Sequence, residues 1–267
     1  MKTGIIGYGS MGKMLLEKFA SKTGPENLLI ANRTREKITS LADRFTVCES
    51  NAELAAQSDI IFVCVRPADI KTVLTEIAPV VPKDTLLVSL NGSLSFDTLG
   101  RLIRHKTAKV IPSVTAEIDR SQTLVCYNDM VSEDDKLALK ELLGCMGSVI
   151  ELPENELGMG SELVSCMPGF IASVFDVICR SAVEHTAISE GQIVDMVLNT
   201  LTATGELMLK KGMSFSDVVD RVATKGGITE EGTAVIYDMF PAAADKLFEK
   251  TLEKRRQVAE NAEKSVQ

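Results

Sequence analysis

The sequence has no tryptophan, only two histidines (His105 and His185), and an aromatic content of 4% over 267 residues. Its six cysteines (Cys48, Cys64, Cys126, Cys145, Cys166, Cys179) include no two at metal-ligand spacing. With so few imidazoles and no thiol pair, no metal is expected, and the cysteines read as small core hydrophobes. Basic residues are outnumbered, 29 against 37 acidic, for a formal charge of -8. Nucleic acid is therefore not expected as a partner, because phosphate backbones select basic surfaces. Any anion must be held by a local positive cluster or by backbone amides. Long hydrophobic runs are also scarce. The longest uncharged apolar stretch of the second half, Leu163–Phe175, is too short to span a bilayer and is interrupted by Pro168. The start, Met1-Lys2-Thr3-Gly4-Ile5-Ile6, runs into a strand without the pattern of a signal peptide. A soluble, cytoplasmic protein with no membrane partner is expected.

What is present is an ordinary globular composition, 45% hydrophobic and 25% charged. Apolar runs that read as strands lie at Thr3–Gly7, Asn27–Ala31, Asp59–Val65, Thr85–Leu90, Lys109–Pro112, Thr123–Tyr127 and Ser148–Leu152. Between them, helix-like segments cover Met11–Ser21, Thr34–Phe45, Ala68–Ala78 and Glu133–Leu143. This alternation predicts βαβ units on a mostly parallel, doubly wound sheet. Continuously apolar runs such as Ile60-Ile61-Phe62-Val63-Cys64-Val65 suit strands covered on both faces.

After Pro153 no strand is found up to Phe248, only helical runs broken at Ile188–Gly191, Lys211–Met213 and Lys225–Gly227. The predicted domains are therefore 1–152, a doubly wound α/β domain, and 153–267, all helical. The run Leu157–Val183 is apolar on nearly every face, as a helix buried all round would be. A domain this small can hardly cover it alone, so a second subunit is the expected cover, giving a homodimer through the C-terminal helices or a higher oligomer. The charged tail Lys246–Gln267 reads as a solvated or frayed terminal helix.

Gly7-Tyr8-Gly9-Ser10-Met11-Gly12 is a G-x-G-x-x-G between the first strand and the first helix. The first glycine permits the turn, and the second lets backbone approach a pyrophosphate. The third lets the helix pack on the strand with its amide-rich N-terminus toward the phosphates. The second strand then ends in Asn32-Arg33-Thr34-Arg35, where NAD-binding folds place an acid for the ribose 2′-hydroxyl. Two arginines can form charge-assisted bonds to a 2′-phosphate, and Asn32 and Thr34 can donate neutral ones. The expected cofactor is NADP(H), bound by Gly7, Gly9, Ser10, Met11, Gly12, Asn32, Arg33 and Thr34 on a Rossmann domain.

Taken with Cys64-Val65-Arg66-Pro67, Val88-Ser89-Leu90-Asn91-Gly92, Val110-Ile111-Pro112-Ser113, Ser165–Phe170 and Lys225-Gly226-Gly227-Ile228-Thr229, these motifs resemble pyrroline-5-carboxylate reductases. Their order and spacing match from residue 1 to about 245. The resemblance implies NADPH-dependent reduction of a cyclic C=N bond to proline, by a Rossmann domain followed by a helical dimerisation domain. It places Val65, Arg66, Pro67, Asn91 and Pro112 at the cofactor, with Val65, Arg66, Pro67 and the Ile111–Ser113 turn on its nicotinamide half. It places Ser165, Lys225, Gly226 and Gly227 at the substrate, with amides of Gly226 and Gly227 on its carboxylate. It makes Thr229 the catalytic hydroxyl on the substrate nitrogen. The departures at Ile111–Thr115, Ser165–Phe170 and Thr224–Thr229 look like a side branch similar to the ComER-type late-competence proteins.

A protonated cyclic imine is already electrophilic, so a hydroxyl can suffice where hydroxyacid dehydrogenases need a lysine. No lysine occurs between Lys140 and Lys210 to serve as one. His185 reads as structural or exposed, and Asp176 with Arg180 as a helix-internal ion pair. Lys225–Thr229 can equally be an interhelical turn, with Thr229 capping a helix Glu230–Met239. Two further readings stay open: reduction of another small cyclic imine, with Lys225 and Ile228 reshaping the pocket, and an NADP(H)-binding regulatory protein without turnover.

Overall fold

A computed structural model describes residues 1–266. Contacts divide the chain into two units, residues 1–166 together with the stretch from Leu252 onward, and Met167–Thr251.

The first unit is built on eight strands: β1 (Thr3–Ile6), β2 (Leu28–Ala31), β3 (Thr46–Val47), β4 (Ile60–Val63), β5 (Leu86–Ser89), β6 (Thr107–Ile111), β7 (Ser121–Tyr127) and β8 (Gly147–Glu151). They form one sheet in the order β3-β2-β1-β4-β5-β6-β7-β8. All pairings are parallel except β6 with β7. The exception follows from chain length. Only residues 112–120 separate β6 from β7, too few for the crossover that a parallel pair requires. The crossover and flanking helices are α1 (Ser10–Thr23), α2 (Asn51–Ala56), α3 (Pro67–Ile77), α4 (Phe96–Leu102) and α5 (Glu133–Leu143).

Strand periodicity sorts the core into two layers. Ile5, Leu28, Ile30, Phe62 and Val88 join Leu15, Leu16 and Phe19 of α1 and Leu139 and Leu143 of α5 on one face. Ile6, Leu29, Ile61, Val63 and Leu87 meet Leu54 of α2, Ile70 and Leu74 of α3 and Leu99 of α4 on the other. Every residue of β1, β2, β4 and β5 is buried, as the continuously apolar runs predicted.

The predicted helix over Thr34–Phe45 does not form; the segment makes two short 3₁₀ turns, Arg35–Lys37 and Thr39–Leu41. Thr39 hydroxyl donates to the Arg35 carbonyl at 3.1 Å, a local alternative to helix pairing, and buried Ile38 and Phe45 pin the segment to the sheet. The sequence reading missed β3, α2 and α4, which are too short to show a period. Both missed helices carry a serine cap: Ser50 accepts from Glu53 N–H at 3.0 Å, and Ser95 from Thr98 N–H at 3.1 Å.

The contact units do not divide at Leu152. Leu157, on α6 (Leu157–Ser161), packs with Leu124 and Cys126 of β7, and Gly160 lies against Leu152 and Leu124. Glu154 accepts from the buried Lys109 ammonium at 2.7 Å and from Phe96 N–H at 2.8 Å. These ties hold the segment after β8 to the sheet. One wide π-turn, Glu162–Cys166, then leads into α7 (Met167–Val183). It precedes Pro168, which has no N–H to continue an ordinary helical ladder.

The second unit holds α7, α8 (Glu190–Lys211), α9 (Phe215–Val222) and the first part of α10 (Ile228–Val266). The helix breaks fall where the sequence predicted them. Ser189 caps α8, Gly212 ends it in the left-handed region (φ 62°), and Ser214 with Asp217 forms a capping box on α9. Two expectations need correction. The stretch Glu154–Val183 is continuous through Pro168 and, at 30 residues, is long and apolar enough to cross a membrane by length and composition. The tail also does more than fray. Buried Ala262 joins the sheet core, Glu263 accepts from Thr98 hydroxyl at 2.7 Å, and Arg255 donates to Glu162 at 2.7 Å. Gln267, the end of the tail as read from sequence, lies outside the described residues.

Candidate cofactor and substrate sites

The glycine loop lies between β1 and α1, at the point where the sheet order reverses, with β2 on one side of β1 and β4 on the other. Crevices at the carboxyl ends of such strands are where open α/β sheets bind ligands. Gly7 has φ 102°, and a Cβ there would stand 2.7 Å from the Cys64 carbonyl oxygen and 3.2 Å from Val65 Cγ1. A Cβ on Gly12 would collide with the Gly7 carbonyl, so this glycine permits the close approach of helix and strand. Gly9 is different: nothing lies within 4 Å of its Cβ position. Gly9 caps α1 without a side chain, no acid sits in the first turn, and Ser10 and Met11 are exposed. An open, amide-rich helix start of this kind fits a pyrophosphate.

Asn32 organises this loop. Its carbonyl accepts from Tyr8 N–H at 2.9 Å, and its amide donates to the Thr34 carbonyl at 2.7 Å. That amide was expected to face a ligand; it is engaged within the chain, and Thr34 is exposed beside it. Arg33 donates to Asp69 at 2.8 Å, and Arg66 donates to the other oxygen of Asp69 at 3.2 Å. Arg35 is paired with Glu49. The two arginines that come together are thus Arg33 and Arg66, from the loops after β2 and β4, rather than Arg33 and Arg35. Pro67 opens α3, its missing N–H costing nothing at that position.

The loops after β5 and β6 carry Asn91 and Pro112, both buried. Asn91 accepts from Ser93 N–H at 2.8 Å and donates its own N–H to Ser89 hydroxyl at 3.2 Å. Its side-chain amide nitrogen is buried without a partner, a spare donor at the ligand-binding end of the sheet. The thiols nearby are not tuned for chemistry. Burial raises Cys64 and pushes Cys48 and Cys126 up to about 11. Among the described residues no group of three His, Cys, Asp or Glu could hold a metal ion.

In the helical unit, Lys225–Gly227 forms the turn between α9 and α10. Gly226 is left-handed (φ 71°), and its N–H donates to the Glu230 carboxylate at 2.5 Å. The Gly227 N–H donates to the Thr224 carbonyl at 2.8 Å. The chain's own carboxylate thus stands on one of the two amides expected to receive a substrate carboxylate, and Lys225 is exposed beside it. Because α10 begins at Ile228, Thr229 lies inside its first turn and does not cap a helix starting at Glu230. Its side chain is half-exposed. Ser165 sits in the π-turn of the first unit. His185 is exposed, and Asp176 and Arg180 form a surface pair at 2.9 Å along α7, both as the sequence implied. Asp69, Glu49 and Glu230, which shape these sites, carried no motif; only contacts across the fold select them.

A glycine-loop crevice with clustered guanidinium groups, followed by a helical unit, defines a dinucleotide-dependent oxidoreductase of the Rossmann class. Residues 2–92 match the family described as NADP oxidoreductase, coenzyme F420-dependent, and residues 154–258 match the pyrroline-5-carboxylate reductase dimerisation family. The chain is 32% identical to pyrroline-5-carboxylate reductase 3 of Bacillus subtilis, with 98% of each chain covered. It is 30% identical to ComE operon protein 4 of the same organism, over 90% of this chain and 91% of that one. The structure of 1-pyrroline-5-carboxylate reductase from Streptococcus pyogenes has the same fold, with a TM-score of 0.83 at 22% identity over 96% of this chain and 98% of that one. The chain belongs to the pyrroline-5-carboxylate reductase family.

Proposed function

We propose that this protein reduces the C=N bond of pyrroline-5-carboxylate to give proline, with NADPH as reductant. The observation that carries this reading is the full-length relation to pyrroline-5-carboxylate reductase 3 of Bacillus subtilis. The cofactor part also has support in a neighbour of the same fold: a Plasmodium falciparum pyrroline carboxylate reductase with NADP bound, TM-score 0.81 at 22% identity over 100% of this chain and 98% of that one. When bound, the nicotinamide supplies the hydride. The chain's residues do the rest. The amides at Gly9–Gly12 receive the pyrophosphate, and Arg33 the 2′-phosphate together with Arg66, which its shared contact with Asp69 moves here from the nicotinamide half that the resemblance implied. The loops carrying Val65, Asn91 and Pro112 border the nicotinamide half. Gly226 and Gly227 hold the substrate carboxylate, which takes the place of Glu230 on the Gly226 amide and of the Thr224 carbonyl on the Gly227 amide, with Lys225 in the same turn. Ser165 is a further substrate-binding residue. The Thr229 hydroxyl bonds the substrate nitrogen as it becomes an amine.

The working form in this reading is a cytoplasmic homodimer or higher oligomer joined through the C-terminal helices. Neither nucleic acid nor a membrane is a partner. NADPH oxidation followed at 340 nm with pyrroline-5-carboxylate tests the proposal: turnover with NADPH and far less with NADH is expected. A second reading, an NADP(H)-binding regulatory protein, draws on the 30% identity to ComE operon protein 4. NADPH binding without turnover on any cyclic imine would select it, and turnover confined to another cyclic imine would reassign the substrate.

A further inference from the structure

Asp69 is shared by two arginines at the ligand-binding end of the sheet: its Oδ1 accepts from Arg33 Nη1 at 2.8 Å and its Oδ2 from Arg66 Nε at 3.2 Å. Arg33 comes from the loop after β2 and Arg66 from the loop after β4, both flanking the glycine loop, while Asp69 stands in the first turn of α3. Both arginine side chains are open to solvent, 77% and 76% exposed, while that of Asp69 between them is 28% exposed. A carboxylate and a phosphate monoester ask for the same donors in the same forked geometry.

We propose that Asp69 is an internal competitor for the 2′-phosphate, a residue that sets how tightly NADP(H) is held and how readily it leaves. The inference rests on the NADP(H) reading above. A 2′-phosphate offers three oxygens and close to two charges against the single charge of Asp69, so it can displace the carboxylate from both arginines. The 2′-hydroxyl of NADH is neutral and cannot. Each NADP(H) association therefore breaks two ion pairs, and each release reforms them, which lowers affinity for NADP(H) alone. Such a device suits an oxidoreductase, in which release of the spent cofactor often limits turnover. The opposite role, in which Asp69 holds the arginines ready and the phosphate joins all three, predicts the opposite sign.

Titration of the full-length protein with NADPH, NADH and 2′,5′-ADP decides the matter. Exposed ion pairs are individually weak, so Asp69→Asn is expected to tighten NADPH and 2′,5′-ADP by about 3- to 10-fold. NADH affinity should stay within about twofold of the original protein. In an Arg33→Ala background the gain from Asp69→Asn should shrink, because one of the two pairs is already gone. A purely structural Asp69 would change the melting temperature and leave the NADPH-to-NADH ratio untouched, which would overturn the inference. Weaker NADPH binding in Asp69→Asn, with the original protein still preferring NADPH, would overturn it in favour of arginine positioning. Equal affinity of the original protein for NADPH and NADH would instead remove the cofactor reading, and the inference with it.

Discussion

In the sheet unit, four central strands are buried at every position and two apolar layers close over them. In the helical unit, α7 buries only Cys179, α8 only Ile193, and α9 nothing, although α7 is among the most apolar segments of the chain. Val177 on α7 is 65% exposed, and Val235, Ile236, Tyr237, Met239 and Phe240 on α10 are exposed as well. The contrast teaches that apolar content and burial within one chain are separate properties. The sheet unit finds its cover by folding on itself. The helical unit leaves a series of large apolar side chains on α7 and α10 exposed, and in the proposed oligomer a second copy supplies their cover.

The sharpest way to break this comparison is to place a charge on each unit's exposed apolar surface. Val177→Asp is expected to weaken the oligomer by at least about 30-fold, as loss of a central interface anchor does. Ile118→Asp, at a 71% exposed site of the sheet unit, should leave assembly unchanged. Light scattering across a concentration series separates the two, and a monomer in the unmutated protein would end the argument.

A second comparison concerns the ion pair of Arg255 with Glu162, whose carboxylate is 2% exposed and has one oxygen without a partner. Arg255→Ala strands a buried charge and should cost about 3–5 kcal/mol. Arg180→Ala, in the exposed pair with Asp176, should cost under about 1 kcal/mol. Denaturation midpoints at a fixed protein concentration compare them, and similar losses would mean burial does not set the difference.

At the sites, the units should divide the labour. Arg33→Ala, in the sheet unit, is expected to weaken NADPH roughly 10- to 100-fold and barely change NADH. Thr229→Ala, in the helical unit, should lower kcat roughly 5- to 150-fold with NADPH affinity unchanged, while Thr229→Ser keeps much of the rate. A Thr229→Ala enzyme with full rate per folded molecule would take that hydroxyl out of the mechanism.

The smallest effect belongs to His105 in the sheet unit. Burial lowers its pKa, and its ring donates to the Pro82 carbonyl at 3.0 Å while accepting from Lys106 N–H at 2.9 Å. Below about pH 6.5 the unfolded chain binds a proton that the folded chain resists. The stability that the neutral ring contributes is therefore complete above that pH and is lost as the pH falls through the lowered folded value. Melting temperatures between pH 7.5 and 5 should show this slope, and His105→Gln should flatten it.

The central strands and the glycine loop were legible because their signals are local. A continuously apolar run such as Ile60–Val63 must be covered on both faces, and Gly7 and Gly12 stand where a Cβ would strike backbone. Helix breaks were legible for the same reason, since Ser189, Gly212 and Ser214 act on their own turns. Thr34–Phe45 misled because an amphipathic pattern was broken by tertiary anchoring at Ile38 and Phe45, and by side chains that bond their own backbone.

By itself, then, the sequence determined the sheet-then-helices order, the cofactor loop, the arginine at the end of β2, and the family motifs carried by both halves. The tertiary structure alone decided the partners of the charged groups. Asp69 lies 36 residues from Arg33, Glu162 lies 93 from Arg255, and Glu263 lies 165 from Thr98. It also decided that the C-terminal end of α10 returns to the sheet unit, whose core buries Ala262. The physical reason is range. Turns, caps and periodicity act over a few residues and are written in order along the chain. An ion pair between distant residues forms only after the backbone has brought their loops together, and no local pattern records which carboxylate will be there.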